Sequence, residues 1–136
     1  MDLKEQLIRD EGMKLYPYRD TVGKITIGVG RNLTDDGISK EEAMVLLEDD
    51  IARTKSQVLS LFPWIRSLSD ARAGVLYNMA FNMGVNGLSQ FVHFLAAMQA
   101  GNWTEAANQM KNSAWYTEVP KRGARLIQQL ETDQWV

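Results

Sequence analysis

The segment from residue 11 to residue 30 constrains the fold more than any other part of the chain. Four glycines punctuate it, at positions 12, 23, 28 and 30, and glycine permits chain reversals that other residues resist. Two short runs between them, 16–19 and 24–28, favour β-strands, and the turn-forming residues 20–23 join them. The segment therefore predicts a β-hairpin, and residues 31–34 are expected to add a third short strand.

A short helix is predicted to lead into this hairpin. Leu3, Leu7 and Ile8 recur at helical spacing, so residues 3–11 are predicted to form a helix that ends at Gly12. Glu11 is then its last residue, where a negative charge meets the negative end of the helix dipole.

Three oxygen-bearing side chains converge in this arrangement. Asp20 ends the first strand, and Thr26 points to one face of the second. A helix end beside a hairpin brings both toward Glu11. Two carboxylates in different environments can act as acid and base, a pair that glycoside hydrolysis requires. Taken singly, each residue also fits a plain structural role, as a solvated helix residue, a turn former or a strand former.

A longer pattern distinguishes these alternatives. It consists of Glu11-Gly12, Leu15, Tyr18, Asp20-Thr21, Gly23, Thr26-Ile27-Gly28, Gly30, Leu33-Thr34, Asn78 to Gly84, Phe91, Trp103, Glu105-Ala106-Ala107, Trp115-Tyr116, Pro120, Arg122 and Arg125. This pattern resembles the phage-type lysozymes, the endolysins of tailed phages that form glycoside hydrolase family twenty-four. It covers nearly the whole chain.

The fold class expected on both grounds is α+β, mostly helical and lysozyme-like. Ser39 and Glu42 form a capping-box pattern that opens a long helix. We expect one lysozyme domain over residues 1–136. Its small β-hairpin lobe spans about 12–58, and the long helix joins it to a helical lobe at about 59–136, with residues 1–11 packed on that lobe. The segment before the long helix is shorter than in the better-known family member, so the small lobe should be reduced.

The resemblance implies a muramidase, which hydrolyses the β-1,4 bond between N-acetylmuramic acid and N-acetylglucosamine of peptidoglycan, with inversion. On this hypothesis Glu11 is the general acid, Asp20 the general base and Thr26 the residue that holds the water. Two alternatives stay open: a lytic transglycosylase, which needs no water-activating base, and a non-catalytic peptidoglycan-binding module.

Five further residues are candidates for the site. The resemblance implies that Phe81 lines the sugar groove, that Asn32 and Gln109 contact the sugar, and that Phe94 occupies another groove position. Core packing is the alternative for Phe81 and Phe94. Arg122 is a supporting residue that shares a helix face with Arg125. One of the two arginines pairs with Glu11 or Asp10, or else both belong to a solvated basic face.

Composition excludes several other classes. A net charge of −2 argues against a nucleic-acid-binding protein. His93 is the single histidine and cysteine is absent, so neither a metal site nor a cofactor is expected. No apolar run reaches the roughly 20 residues of a membrane span, and no secretory signal is visible. The resemblance implies a monomer whose partner is peptidoglycan, held in the host cytoplasm until lysis and then acting on the periplasmic cell wall.

Overall fold

Eight α-helices, one 3-10 helix and three short strands make up the chain, and the computed structural model describes all 136 residues. In order these are α1 (Leu3–Glu11), β1 (Lys14–Arg19), β2 (Ile25–Gly28), β3 (Arg31–Asn32), α2 (Leu33–Asp36), α3 (Lys40–Leu61), the 3-10 helix (Pro63–Ser67), α4 (Asp70–Ser89), α5 (Val92–Ala100), α6 (Trp103–Lys111), α7 (Ala114–Glu118) and α8 (Pro120–Thr132). The predicted α+β class, mostly helical with a small antiparallel sheet, is confirmed.

The chain divides into two compact units, Met1–Leu46 and Leu47–Val136, and the division falls within α3. The first unit contains α1, the sheet, α2 and the beginning of α3. The second contains the remaining helices. The lobe boundary predicted near residue 58, and the packing of residues 1–11 on the helical lobe, stay predictions.

The sheet of the first unit has the strand order β1-β2-β3, with both pairs antiparallel. Thr26 is central to this register, because it pairs with Tyr18 of β1 on one side and with Asn32 of β3 on the other. The third strand was predicted to span residues 31–34, but it ends at Asn32, and α2 begins at Leu33. The side chain of Asn32 accepts a hydrogen bond from the Asp35 backbone N–H (3.0 Å) and so caps α2 where the strand was expected to continue.

Helix α3 begins at the predicted capping box. The Glu42 backbone N–H donates to Ser39 Oγ at 3.1 Å, and the Ser39 backbone N–H donates to Glu42 Oε1 at 2.9 Å. These two bonds satisfy donors that a helix start otherwise leaves to solvent.

The hydrophobic core lies in the second unit, where α4 and α6 both pack against α8, and α5 packs against α6. The side chains with no exposed surface are those of Val58, Ile65, Val75, Leu76, Met79, Leu88, Met98, Ala106, Met110 and Leu130. Four of them belong to α4: Val75, Leu76, Met79 and Leu88. At Gly84 the backbone angles, φ 81° and ψ 157°, are not helical, so a kink divides α4 into two helical segments. No helix combines the length and the apolar character that crossing a bilayer would require.

Candidate active site

The capping interactions at the two ends of α1 determine where Glu11 lies in the helix. At the first end, Asp2 and Glu5 form a capping box, with the Glu5 backbone N–H donating to Asp2 Oδ1 at 2.8 Å and the Asp2 backbone N–H donating to Glu5 Oε2 at 3.0 Å. At the other end, Gly12 takes φ 76°, a conformation that other residues rarely adopt, and its N–H donates to the Ile8 carbonyl at 2.8 Å. Glu11 is therefore the last helical residue, as predicted.

The Glu11 side chain lies over the turn between β2 and β3. A Cβ added to Gly30 would stand 3.5 Å from Glu11 Oε2 and 3.7 Å from Glu11 Cδ. Gly30 has φ 75°, so the turn favours glycine for its backbone, while the space would admit a Cβ in ordinary van der Waals contact with Glu11. The Glu11 carboxyl group therefore lies beside one end of the sheet.

Asp20 is held by the turn that joins β1 to β2. Its Oδ1 accepts hydrogen bonds from the backbone N–H groups of Val22 (3.0 Å) and Lys24 (2.8 Å). The backbone closes the same turn, since the Asp20 N–H donates to the Lys24 carbonyl at 2.9 Å and the Gly23 N–H donates to the Asp20 carbonyl at 3.0 Å. The predicted turn is thus present. Oδ1 is occupied, and Oδ2 has no partner within the protein.

Thr26 is the one residue of the first unit that is buried, with 4% of its surface exposed. Its hydroxyl donates to the Lys24 carbonyl at 3.1 Å. A hydroxyl carries one hydrogen and two lone pairs. Thr26 Oγ1 can therefore still accept a hydrogen bond, but it has no second hydrogen to donate.

Strand β2 relates the three side chains to one another. Lys24, just before the strand, binds the Asp20 carboxylate, while Gly28 at its end leads into the turn that lies under Glu11. At about 3.3 Å per residue, these two positions are about 13 Å apart, and Thr26 lies midway between them. All three predicted catalytic residues therefore lie in one small unit. Thr26 lies along β2 between Lys24, which binds Asp20, and the turn beside Glu11.

The electrostatics of this unit are dominated by one ion pair between β3 and α3. Arg31 Nη1 donates to Glu42 Oε1 at 2.8 Å and to the Gly37 carbonyl at 3.2 Å. The hydrogen bond from Arg31, with a second from the Ser39 backbone, lowers the pKa of Glu42 from its ordinary 4.5 to about 2. The same hydrogen bond raises the pKa of the Arg31 guanidinium. This pair holds the end of the sheet against the beginning of α3.

Asn32, predicted to contact a sugar, already makes two hydrogen bonds. Its Oδ1 caps α2, and its Nδ2 donates to Asp35 Oδ2 at 2.9 Å. An amide nitrogen carries two hydrogens, so one remains for a ligand. Asn32 faces Thr26 across the sheet, and its contact with substrate stays a prediction.

The other candidate residues lie in the second unit. Phe81 on α4 is 48% exposed and lines an open cavity of about 700 Å³, together with the half-buried Arg122 of α8. Gln109 on α6 is half-buried and donates from Nε2 to Glu105 Oε1 at 2.7 Å. The pairing of Arg122 with Glu11 or Asp10, and the sugar contacts of Phe81 and Gln109, stay predictions.

Phe94 has a different place. It is 1% exposed on α5 and meets the ring of Phe91 edge-on, with the ring centroids 6.2 Å apart. A side chain so deeply buried offers no surface to a sugar, so the packing alternative explains it. Residues 94–98 are all apolar, so the sequence alone did not distinguish the two alternatives.

Two residues of the site region were not singled out as candidates from the sequence. Lys24 binds both Asp20 and Thr26, but it does so through its backbone, and the residue type carries no signal of that. Asp35 bonds with Lys24 and Asn32 through its carboxylate, at sequence separations of 11 and 3 residues. Its only signal was a position three residues after a potential capping asparagine.

Chemically, the unit supplies a proton donor or acceptor at each end of a short strand and a hydrogen-bond acceptor between them. No cluster of three histidine, cysteine, aspartate or glutamate side chains has the geometry of a metal site. The prediction that no cofactor is needed stays a prediction.

Comparison with known proteins bears on the whole chain. The sequence model of the phage lysozyme family matches residues 9–131. Two Dictyostelium discoideum proteins, probable T4-type lysozymes 2 and 1, are 35% and 31% identical to the chain, and each alignment covers 96% of the chain and 94% of the relative. The pre-baseplate central spike protein Gp5 of Enterobacteria phage T4 is 34% identical over 93% of the chain, which corresponds to 27% of that longer protein.

Proposed function

Because the chain belongs to the phage lysozyme family, we propose that it cleaves peptidoglycan with Glu11, Asp20 and Thr26 as its catalytic residues. It is a glycoside hydrolase of the lysozyme type. The proposal extends this to the bond, the β-1,4 linkage between N-acetylmuramic acid and N-acetylglucosamine, and to the stereochemical outcome. The observation that supports it is that Thr26 lies on β2 between Lys24, which binds Asp20, and the turn beside Glu11.

In the proposed reaction Glu11 donates a proton to the glycosidic oxygen as the bond to the anomeric carbon breaks. A water molecule donates one hydrogen to Asp20 Oδ2 and the other to Thr26 Oγ1, and its free lone pair attacks the anomeric carbon from the opposite face. Asp20 takes the proton that the water loses. The attacking oxygen becomes the new anomeric hydroxyl.

The hydrogen bonds of the free site support this assignment of atoms. Asp20 Oδ1 is occupied by two backbone donors, which leaves Oδ2 to act as the base. The hydrogen of Thr26 is committed to the Lys24 carbonyl, which leaves its oxygen to accept from the water. Both groups are thereby oriented before substrate arrives, and preorganised groups need no rearrangement during the reaction.

Inversion is supported by the free acceptors around a water. Inverting glycosidases separate their two carboxyl groups by roughly 6.5 to 9.5 Å to admit a water, whereas retaining enzymes hold them about 5 to 5.5 Å apart. Asp20 Oδ2 and Thr26 Oγ1 can both accept a hydrogen bond from such a water, which favours the inverting arrangement. This argument also disfavours a lytic transglycosylase, in which no water needs to be held.

The stereochemistry of the product tests the proposal. Nuclear magnetic resonance of freshly cleaved peptidoglycan fragments should show the α-anomer first, which then equilibrates. Initial formation of the β-anomer would contradict inversion. A 1,6-anhydro sugar at the new end, detected by mass spectrometry, would identify a transglycosylase instead.

We further propose that the protein acts in phage-induced lysis, waiting in the host cytoplasm as a monomer until the inner membrane is opened. Support comes from the match to the phage lysozyme family. Bacteria that express the chain should lyse only after a membrane-permeabilising agent is added, and light scattering should report the mass of one chain. Lysis without the agent would contradict retention in the cytoplasm.

A further inference from the structure

Asp35, in the first turn of α2, connects two strands of the candidate site. Its Oδ1 accepts a hydrogen bond from Lys24 Nζ at 3.1 Å, and its Oδ2 accepts one from Asn32 Nδ2 at 2.9 Å. Its backbone N–H also donates to Asn32 Oδ1 at 3.0 Å. One carboxylate thus joins the residue before β2 to the last residue of β3.

Lys24 connects Asp35 to the proposed catalytic residues Asp20 and Thr26. Its backbone N–H donates to Asp20 Oδ1, and its carbonyl accepts from both the Asp20 N–H and the Thr26 hydroxyl. Lys24 is therefore bonded to the proposed base and to the proposed water-holding residue at once. A displacement of the Lys24 backbone therefore disturbs the hydrogen bonds of both groups.

A second bond fastens the same strand to α2. The Ile25 backbone N–H donates to Thr34 Oγ1 at 2.8 Å. Helix α2 is consequently attached to the beginning of β2 by two neighbouring residues, Lys24 through its side chain and Ile25 through its backbone.

We propose that Asp35 is a positioning residue for hydrolysis, which acts through Lys24 to fix Asp20 Oδ2 relative to Thr26 Oγ1. This inference rests on the proposed roles of Asp20 and Thr26. Asp35 itself contacts neither of them and takes no part in proton transfer.

The size of the effect follows from the exposure of the ion pair. The side chains of Lys24 and Asp35 are 39% and 49% exposed, so solvent and salt screen their attraction. If the whole interaction energy of such an exposed pair acted on the transition state, its loss would slow the reaction by at most about fivefold. The expected effect is therefore modest and confined to kcat.

The test compares Asp35→Asn with Asp36→Asn. Asp36 is the neighbouring α2 residue, and its side chain makes neither of the hydrogen bonds that join Asp35 to Lys24 and Asn32. Rates are measured on solubilised peptidoglycan strands at low salt, and melting temperatures are measured in parallel. Asp35→Asn should lower kcat about two- to fivefold with KM unchanged. Asp36→Asn should keep the wild-type kcat.

Variants of Lys24 separate positioning from a purely structural role. Lys24→Met should reproduce the loss in kcat, Lys24→Arg should restore it, and the double variant Lys24→Met/Asp35→Asn should fall no further than either single variant. A lower melting temperature with an unchanged kcat would overturn the inference, because it would show a contribution to stability alone.

Asp20→Asn makes the two possible failures distinguishable. If Asp20→Asn is inactive while Asp35→Asn has the kcat of Asp36→Asn, the positioning role is overturned and the proposed function stands. If Asp20→Asn retains wild-type activity, the proposed function itself is wrong and the positioning role falls with it.

Discussion

The carboxyl group of Glu11 lies beside Gly30, where an added Cβ would stand 3.5 Å from Glu11 Oε2, in ordinary van der Waals contact. The two residues are 19 positions apart in the chain, and their proximity brings the end of α1 beside the turn between β2 and β3. The proposed acid therefore lies next to a turn whose backbone favours glycine. Two consequences, one for stability and one for catalysis, can be measured separately.

Gly30→Ala should impair both properties, whereas Gly37→Ala should impair only stability. Both glycines have positive φ, 75° and 59°, so alanine should cost about 1 to 2 kcal/mol at either position. Nothing lies within 4 Å of a Cβ at Gly37, whereas a Cβ at Gly30 would be in van der Waals contact with Glu11, so a turn strained by alanine at Gly30 should displace the carboxyl group beside it. We expect kcat of Gly30→Ala to fall about 10- to 100-fold below that of Gly37→Ala. Equal values of kcat in the two variants would show that the contact has no part in catalysis.

Thr26→Val should separate the chemical role of the hydroxyl from its structural one. The Lys24 carbonyl keeps its hydrogen bond from the Asp20 N–H, so loss of the Thr26 hydroxyl leaves no buried acceptor without a partner. The free energy of unfolding should change by about 1 kcal/mol or less. Without an acceptor for the water, kcat should fall about 100-fold.

Thr26→Ser supplies the control for that experiment, because it retains the hydroxyl and loses only the methyl group. It should keep kcat within about tenfold of the wild type. If the valine and serine variants are equally active, the hydroxyl does not hold the water.

Acid should weaken the contribution of Glu42 to stability. The Arg31 hydrogen bond lowers the pKa of Glu42 to about 2 in the folded protein, against 4.5 ordinarily. A lowered folded-state pKa means that the stabilisation is complete above about pH 4.5 and is lost as the pH falls toward about 2. The difference in urea midpoint between wild type and Glu42→Gln should therefore shrink over that range. Glu41→Gln, an exposed neighbour in the same helical turn, should show a smaller pH-dependent difference, and a constant difference for Glu42→Gln would contradict the assignment.

Local signals in the sequence were sufficient to predict the elements that hold the site. Helix α1 ends at Gly12, the turn closes at residues 20–23, and α3 begins with the box of Ser39 and Glu42, all as expected. Each of these features depends on residues within four positions of one another. Their hydrogen bonds form between near neighbours, whatever the rest of the chain does.

Features that depend on distant residues could not be predicted. The contact of Glu11 with Gly30 and the bond between Lys24 and Asp35 join positions 19 and 11 apart, and no residue pattern indicates which partners meet. The third strand was overestimated for a related reason. Strand propensity at residues 31–34 competes with helix capping by Asn32, and the capping hydrogen bond to Asp35 prevails.

The most direct test of the central claim is the clearing of outer-membrane-permeabilised cells by Glu11→Gln, measured as loss of turbidity. Glutamine keeps the size of the side chain over Gly30 but cannot donate the proton, so activity should fall by about 100-fold or more. Glu41→Gln, an exposed glutamate of the same unit, should clear the suspension at the wild-type rate, and melting temperatures should show that both variants are folded. Clearing by folded Glu11→Gln at the wild-type rate would contradict the assignment of Glu11 as the catalytic acid.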